Sequence, residues 1–384
     1  MMTVDDIASS SPCTPLIDSS VPDSTCRGVF CECYCPGQVE HAAVVEQPAR
    51  RTLTSAGSRD GGAKGRGDRN EGEGSACVLY EEEAGIATLT LSRPKSKNSC
   101  NRAVFTRLVE LLGRAERSES VVAVILTGAG GYFTSGADLK ELQSNPILAV
   151  PMLQQPFGTF AAAVLHFPKL LVAAINGPAV GVGVTLLPHC DVVFAYGGAG
   201  RRGGERLITT PHASRQSRGV RSPRRPGGAR EGAPGMAPGA GQDGAASFWT
   251  PFFHLAIVPE FCSSVTFPEI LGWSLANEML VMGRKLGVEE ALTSGLVSTV
   301  ITADTEEAFL SQVKLHLRRN TLESFMAAES VKTFKQMMWR ARRPRLLRVL
   351  EEECVELDRR MQAGHPRAAL RHLARRPKDG RSKL

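Results

Sequence analysis

The sequence has no apolar run of membrane-spanning length and no cysteine pairs at zinc-ligand spacing. None of its apolar runs reaches the roughly 18 residues that a spanning helix needs, and its first residues do not form a secretory signal pattern. We therefore expect an intracellular protein without a membrane span. Its ten cysteines include Cys31, Cys33 and Cys35, but this C-x-C-x-C spacing matches neither C-x-x-C pairs nor a second zinc knuckle. We accordingly predict no metal site.

Net positive charge is nearly absent outside one segment. The formal net charge is +7, and residues 197–244 hold nine arginines against three acidic side chains, so the rest of the chain is close to neutral. That segment also lacks the aromatic residues on which nucleic-acid bases stack. A basic overall charge of this origin is weak evidence for a nucleic-acid partner, and we predict none.

Two segments lack the periodicity of folded structure. Residues 1–75 are rich in Ser, Pro, Gly and charge without a sustained apolar period, which predicts a disordered N-terminal region. Residues 197–245 consist mostly of Gly, Arg, Pro, Ala and Ser and predict a structureless, basic insertion. Three interpretations of that insertion stay open: a solvated surface loop, translated intron sequence, or a nucleic-acid-binding segment.

Two loops rich in small residues follow predicted buried strands. Phe133–Leu139 follows the apolar run 121–127, and Asn176–Gly183 directly follows the run 170–175. Small residues let backbone N–H groups approach a ligand closely. Two such loops would direct two backbone donors at one oxygen atom, which is the geometry of an oxyanion hole.

The order strand, F-x-x-G-x-D-L, strand, N-G-x-A-x-G resembles the crotonase (enoyl-CoA hydratase/isomerase) family. The segment Gly283–Val297 is also similar to a turn and helix of that family, and the resemblance covers about 78–196 and 246–384. It implies an α/β (α+β) fold, the crotonase ββα spiral, with a core over 76–318 interrupted by 197–245. A C-terminal helical region is expected over 319–384. Apolar periodicity predicts helices over 264–271, 274–282, 304–319, 322–340 and 344–363.

The resemblance also implies the ligand and the assembly. The substrate is expected to be an acyl-CoA thioester, with coenzyme A entering only as part of it and no separate cofactor. The family implies a homotrimer or hexamer. The oxyanion donors are expected to be the backbone amides of Ala137 and Val182. Further substrate-binding residues are expected along the loops and a preceding basic segment, namely Ser135, Gly136, Ala137, Asp138, Leu139, Gly181, Lys95 and Lys97.

Some of these residues have an alternative interpretation. Lys95 and Lys97 are predicted to meet the CoA phosphates, although both also fit solvated surface lysines. Asp138 is expected to cap the helix that follows it. The two histidines near the site in sequence, His189 and His254, are assigned no role.

The two glutamates by which the hydratase branch holds a water molecule are absent. Their places are occupied by Thr185 and Phe252, so hydratase activity is not expected. The segment Leu255–Ser264 instead resembles the L-x-x-x-x-E-x-x-S-S segment of peroxisomal Δ3,Δ2-enoyl-CoA isomerases. By that match Glu260 is the general acid/base that moves a proton from C2 to C4. Phe261 stands where the family commonly has glycine.

The environment of Glu260 in the sequence is apolar, and desolvation by such neighbours raises the pKa of a carboxyl group and makes it a better base. An alternative stays open, in which Glu260 only favours the first turn of a helix through the helix dipole.

The sequence ends in Ser382, Lys383 and Leu384, a peroxisomal targeting tripeptide. It predicts a location in the peroxisomal matrix and an import receptor as a partner. The sequence therefore favours a peroxisomal enoyl-CoA isomerase of fatty acid β-oxidation. Two other functions remain open: a catalytically impaired acyl-CoA-binding or scaffold protein of the same fold, and a chromatin-associated relative.

Overall fold

The computed structural model describes residues 77–144, 150–199, 206–209 and 244–375. The chain divides into units 1–65 and 66–384, and all described residues belong to the second unit. The predictions for residues 1–75, for most of 197–245 and for Ser382–Leu384 lie outside the described residues.

A seven-stranded sheet forms the centre of the described unit. Its strands are β1 (Val78–Glu83), β2 (Ile86–Leu91), β3 (Ala123–Gly128), β4 (Leu170–Ile175), β6 (Val192–Tyr196), β7 (Arg206–Thr209) and β10 (Thr299–Thr302). They lie side by side in the order β1-β2-β3-β4-β6-β10-β7. The first two strands form an antiparallel hairpin, β2, β3, β4, β6 and β10 run parallel, and β7 is antiparallel to β10.

A second sheet of three short strands carries one of the glycine loops. β5 (Ala179–Val180) lies parallel to β8 (Ser247–Trp249), which pairs antiparallel with β9 (Lys285–Gly287). The strand β8 begins shortly after residues 197–245, so the chain returns to the second glycine loop, through the pairing of β8 with β5, just after that segment.

The helices alternate with the strands in the first half of the unit and follow one another in the second. The first begins at the cap Asn101, whose side chain accepts a hydrogen bond from the Val104 amide at 3.0 Å. The helices are α1 (Arg102–Arg117), α2 (Leu139–Ser144), α3 (Pro156–His166), α4 (Val182–Thr185), α5 (Ser263–Leu271), α6 (Trp273–Leu280), α7 (Val288–Thr293), α8 (Glu306–Leu317), α9 (Ala327–Trp339), α10 (Arg342–Gln362) and α11 (His365–Arg375).

The large sheet has a buried core on each face. Because side chains alternate along a strand, Ile125 and Val172 pack on the side of α8, while their neighbours Val124 and Ala173 face α1 and α3. Because both faces of the parallel strands are covered, most of their residues are apolar. This arrangement confirms the predicted α/β fold with a C-terminal helical region.

Two local predictions need correction. Residues 206–209, inside the segment predicted to be structureless, form strand β7 on the edge of the large sheet, where Leu207 and Ile208 pair with β10. The helix predicted over 322–340 begins only at Ala327, after a π-helical turn over Arg318–Leu322. A further helix, α11, lies within the predicted C-terminal helical region, and Gly364, which precedes it, has a φ of +71°.

Candidate active site

The two glycine loops meet because the strands before them are neighbours. The loop Phe133–Leu139 follows β3 and the loop Asn176–Gly183 follows β4, and these strands pair in parallel. Their carboxyl ends therefore lie at the same edge of the sheet. The Val180 amide donates to the Thr134 carbonyl oxygen at 3.0 Å, which joins the two loops directly.

Glycine is required where the loops approach each other. Gly136 has a φ of +83°, and a β-carbon there would lie 2.8 Å from the Val180 carbonyl oxygen. Gly181 has a φ of +55° and lies against Gly136, whose α-carbon is 3.9 Å from a β-carbon built on Gly181. A side chain at Gly136 would therefore collide with the other loop, whereas at Gly181 there is room for a β-carbon and the positive φ alone favours glycine.

Both predicted oxyanion donors are left without an acceptor. The Cys100 amide donates to the Gly136 carbonyl oxygen at 2.8 Å, and the Cys100 carbonyl oxygen accepts from the Asp138 amide at 2.9 Å. The amide of Ala137, which lies between Gly136 and Asp138, therefore points away from Cys100. Val182 is the first residue of α4, where the helix itself offers no acceptor. Across the described ranges neither amide has a hydrogen-bond acceptor, and both residues line a cavity of about 130 Å³.

Glu260 lines the same cavity. Its side chain is 9% exposed, and within the described part of the chain its carboxylate has no hydrogen-bond or ion-pair partner. Its backbone is fixed by Ser263, whose hydroxyl accepts from the Glu260 amide and whose amide donates to the Glu260 carbonyl, both at 3.1 Å. One carboxylate oxygen, Oε1, lies 4.0 Å from the position that a β-carbon on Gly181 would occupy.

The environment of Glu260 favours the protonated acid. Burial raises the pKa of its carboxyl group to about 8, and the nearby carboxylate of Glu353 acts in the same direction. A carboxyl group with a pKa near neutrality accepts and returns a proton readily, which suits a general acid/base.

The other carboxylates of the cavity wall are already bound. Asp138 accepts from Arg93 and Ser99 and, as predicted for a cap, from the Lys140 amide at 3.1 Å. Glu141 accepts from the Arg102 amide at 3.0 Å, and Asp358 from the Met152 amide at 2.7 Å. Among the described residues, Glu260 therefore differs from them in having no hydrogen-bond or ion-pair partner for its carboxylate.

Thr185 and Phe252 stand where the hydratase branch has its two glutamates, and neither residue can take over the role of a glutamate. Thr185 is buried, and its hydroxyl lies 3.5 Å from the Gly181 carbonyl oxygen, to which it donates. Phe252 is buried with its ring edge 3.8 Å from a β-carbon built on Gly181. Neither side chain offers a group that would deprotonate water.

The structure does not bring all predicted substrate-binding residues to the cavity. Ala137, Asp138, Val182 and Glu260 line it together. Lys95 and Lys97 are exposed outside its wall, and the Lys97 ammonium lies 4.9 Å from the centre of the Tyr132 ring. The remaining predicted binders, Ser135, Gly136, Leu139 and Gly181, belong to the two loops but do not line the cavity.

The sequence predicts the far wall of the cavity only as one of two alternatives. Apolar residues recur at helical spacing over 344–363, and this helix is expected to cover either the acyl pocket or a subunit contact. In the structure the last turns of α10 and the start of α11 close the cavity with Leu357, Asp358, Met361 and Arg367. The first alternative thus agrees with the position of α10, whereas the contribution of α11 was not predicted.

Neither a metal-binding cluster nor a membrane-spanning helix is found among the described residues. No group of three or more His, Cys, Asp or Glu side chains among them is arranged to hold a metal ion. In the same ranges, no helix combines the length and the hydropathy needed to cross a bilayer.

Comparison with known proteins relates most of this chain to one family. The family described as enoyl-CoA hydratase/isomerase matches residues 81–200 and 241–369. Enoyl-CoA delta isomerase 2 of Rattus norvegicus is 30% identical over 307 residues, 78% of this chain and 62% of the relative. Enoyl-CoA delta isomerase 3, peroxisomal, of Mus musculus is 29% identical, covering 80% and 81%.

Other relatives have different names at similar identity. Testis-specific chromodomain protein Y 1 of Homo sapiens is 28% identical, over 63% of this chain and 36% of the relative. The chain thus spans less than two thirds of the length of this relative and of the rat isomerase. Among solved structures, OdaA of Pseudomonas aeruginosa is 28% identical with a TM-score of 0.61, covering 79% of this chain and 100% of that one.

Proposed function

This chain belongs to the enoyl-CoA hydratase/isomerase family, and we propose that it is a Δ3,Δ2-enoyl-CoA isomerase with Glu260 as its only proton-transferring group. The observation that carries the proposal is the meeting of three groups in one cavity. These are two backbone amides without acceptors, at Ala137 and Val182, and one buried, unpaired carboxylate.

The proposed reaction begins with the thioester carbonyl accepting hydrogen bonds from the two amides. Negative charge that develops on this oxygen is stabilised there, so a proton on C2 becomes removable. The Glu260 carboxylate takes the C2 proton, and the double bond moves from C3=C4 to C2=C3 as the same carboxyl group returns the proton to C4. Because that proton is returned and no electrons leave the substrate, one carboxylate suffices and no separate cofactor is required.

The same arrangement argues against hydration of the double bond. Adding water requires a second group that holds and deprotonates the water molecule. Thr185 and Phe252 stand where that group would be, and Asp138, Glu141 and Asp358 are engaged elsewhere. We therefore expect no conversion of 2-trans-enoyl-CoA to its 3-hydroxy product.

The direct test is a coupled isomerase assay on 3-cis- and 3-trans-enoyl-CoA. Replacing Glu260→Gln removes the base but keeps the shape, and positioned acid/base groups contribute roughly 10²- to 10⁴-fold to a rate. The same substitution at the partly exposed Glu356, which does not line the cavity and pairs with Arg359 and Arg360 on α10, serves as the matched control. A rate loss below tenfold in the Glu260→Gln variant would remove this residue from the role.

A second candidate is an acyl-CoA-binding protein without turnover, including a chromatin-associated form. It is motivated by the chromodomain relatives and by the basic segment that precedes Glu260 in sequence. The position of Glu260 beside both loops supports the catalytic alternative. Calorimetric binding of an enoyl-CoA combined with no measurable turnover by the wild-type protein would favour the second candidate.

We further propose that the protein acts in the peroxisome during β-oxidation. Support comes from the terminal Ser382-Lys383-Leu384 and from the mouse relative whose name includes the word peroxisomal. A fluorescent protein fused to the N-terminus should give peroxisomal puncta that disappear when the tripeptide is deleted. Puncta that persist without the tripeptide would contradict its role in import.

An oligomer is part of the same proposal. Helix α9 exposes three large apolar side chains, Phe334, Met337 and Met338, which are 65%, 71% and 77% accessible in the single chain. Burying such a surface against another copy is favourable, since apolar area removed from water stabilises association. Sedimentation should therefore give a trimer or hexamer, whereas a monomer would contradict this expectation.

A further inference from the structure

The residues directly after Glu260 adopt a backbone conformation that side chains disfavour. Phe261 and Cys262 have φ values of +55° and +61°, in the left-handed region. For a bulky residue this conformation costs on the order of 1–3 kcal/mol and persists only when surrounding contacts enforce it. The turn also explains why glycine suits this position in the family.

One peptide group within this turn is bound on both sides. The carbonyl oxygen of Phe261 accepts a hydrogen bond from Nε2–H of His189 at 2.7 Å. The amide of Cys262, which belongs to the same peptide group, donates to Oε2 of Glu353 at 2.6 Å. His189 is fully buried and Glu353 nearly so, hence water does not compete for either bond.

Both partners are themselves fixed. The His189 ring stacks on the Phe261 ring with 4.7 Å between centroids, and Phe157 and Phe160 pack against the other edges of Phe261. The second oxygen of Glu353, Oε1, accepts from the amide and hydroxyl of Ser264. A rotation of the peptide group would break a buried hydrogen bond at either end, which costs more than the bond's net contribution.

We propose that His189 and Glu353 are positioning residues that hold the Phe261–Cys262 peptide group in its strained turn and thereby direct the Glu260 carboxylate into the cavity. The catalytic consequence of this arrangement rests on the proposed isomerase function. Neither residue lies among those that line the cavity wall, so both act through Glu260 rather than on the substrate. A displacement of the reacting group by about 1 Å is enough to lower a rate on the order of 10²-fold.

Glu353 also bonds the amides at the beginning of α5, so a purely structural role as a helix cap needs to be distinguished. A cap that acts only on stability would lower the melting temperature and leave kcat unchanged in the folded fraction. A positioning residue lowers kcat while KM stays near its wild-type value, because the oxyanion loops that bind the thioester are untouched. The pH profile separates the two roles further.

Among the described residues, the titratable groups that interact electrostatically with Glu260 are Glu353 and Cys354 on α10 and Cys100 before α1. Arg342 at the beginning of α10 acts instead on His189 and Cys262. Removing the Glu353 charge removes a like charge that raises the pKa of Glu260, so that pKa is expected to fall.

The experiment compares Glu353→Ala with Glu353→Gln in the full-length protein. The alanine variant is expected to lose at least tenfold in kcat with KM within twofold. The glutamine variant keeps one acceptor for the Cys262 amide, so it is expected to recover part of kcat. Because it lacks the negative charge of Glu353, its activity is expected to rise at a lower pH than that of the wild-type protein. Lys335→Met, which disrupts an ion pair away from Glu260, controls for loss of stability.

Crystal structures of both variants provide a readout that does not depend on turnover. In Glu353→Ala we expect the φ angles at 261 and 262 to leave the left-handed region and Glu260 Oε1 to move away from Gly181 by about 1 Å or more. If the turn and the carboxylate stay in place, or if kcat stays within twofold of wild type, the positioning role is wrong. If the turn changes but wild-type protein has no isomerase activity, the positioning role stands and the proposed function fails.

Discussion

Oε1 of Glu260 lies 4.0 Å from the point at which a side chain on Gly181 would begin. Gly181 itself does not line the cavity, but its neighbour Val182 does, together with Ala137 and Glu260. A side chain on residue 181 would therefore begin in van der Waals contact with the Glu260 carboxylate, beside the cavity in which a thioester would bind.

The variant Gly181→Ala should therefore lose activity. Its methyl group would stand in ordinary contact with Phe252 and Glu260 beside the cavity, and a φ of +55° disfavours any side chain, so the loop and the Glu260 carboxylate would have to shift. We expect kcat/KM to fall more than tenfold and the free energy of unfolding to fall by about 1–2 kcal/mol. Steady-state kinetics and urea unfolding measure the two effects.

The matched control is Gly287→Ala. That glycine has an extended backbone, and a β-carbon there would meet nothing within 4 Å. Activity should stay at the wild-type level. Equal losses in the two variants would show that Gly181 has no special relation to the site.

Activity should rise with pH along a single limb. Burial raises the pKa of Glu260 to about 8, and only the ionised carboxylate removes the C2 proton. The logarithm of kcat/KM should therefore increase up to an apparent pKa near 8 and then level off. A falling limb from a second essential acid is not expected, since one carboxyl group plays both parts. A pH-independent rate between pH 5 and 9 would contradict this assignment.

Stability should depend on the same ionisation with the opposite sense. The pKa of Glu260 in the folded protein is raised from its ordinary value of 4.5 to about 8. The contribution of this group to the free energy of unfolding is therefore fully present below pH 4.5 and is lost as pH rises through about 8. The glutamine in Glu260→Gln does not ionise, so the variant does not lose this stability at higher pH. The variant should gain stability relative to wild type, by on the order of a few kcal/mol, between pH 5 and 9. Paired urea unfolding curves at several pH values test this, and a constant difference would contradict it.

Phe261→Gly should show that packing outweighs strain at the turn. Glycine removes the left-handed strain of about 1–2 kcal/mol, but the lost ring contacts with His189, Phe157 and Phe160 correspond to about 3–5 kcal/mol. We expect a net loss of about 1–4 kcal/mol in urea unfolding. A more stable variant would mean that strain dominates.

A buried ion pair joins α9 to the sheet. The Lys335 ammonium lies 2.7 Å from the Asp191 carboxylate and also donates to the Lys169 carbonyl. Lys335→Met leaves the carboxylate without its partner and should cost about 3–5 kcal/mol. Lys314→Met breaks a more exposed pair with Glu83 and should cost less than about 1 kcal/mol. Similar losses in the two variants would contradict the importance of burial.

Much of the fold and part of the site follow from local patterns. The apolar runs before each glycine loop became β3 and β4, and the positions of Ala137, Val182 and Glu260 in one cavity agree with the expectations drawn from the two motifs and the Leu255–Ser264 segment. Four residues, Arg206–Thr209, were too short a strand for periodicity to detect in a Gly- and Arg-rich context.

The amino-acid sequence by itself determined the order of strands and helices, the small residues at the loop crossing and the absence of hydratase glutamates, because each of these depends on residues close together in the chain. Only the tertiary structure decided that the Glu260 carboxylate is unpaired among the described residues, that α10 and α11 close the cavity, and that His189 and Glu353 bind one peptide group. Those contacts join residues 72 and 91 positions apart, and such distances depend on how whole elements pack rather than on any local pattern.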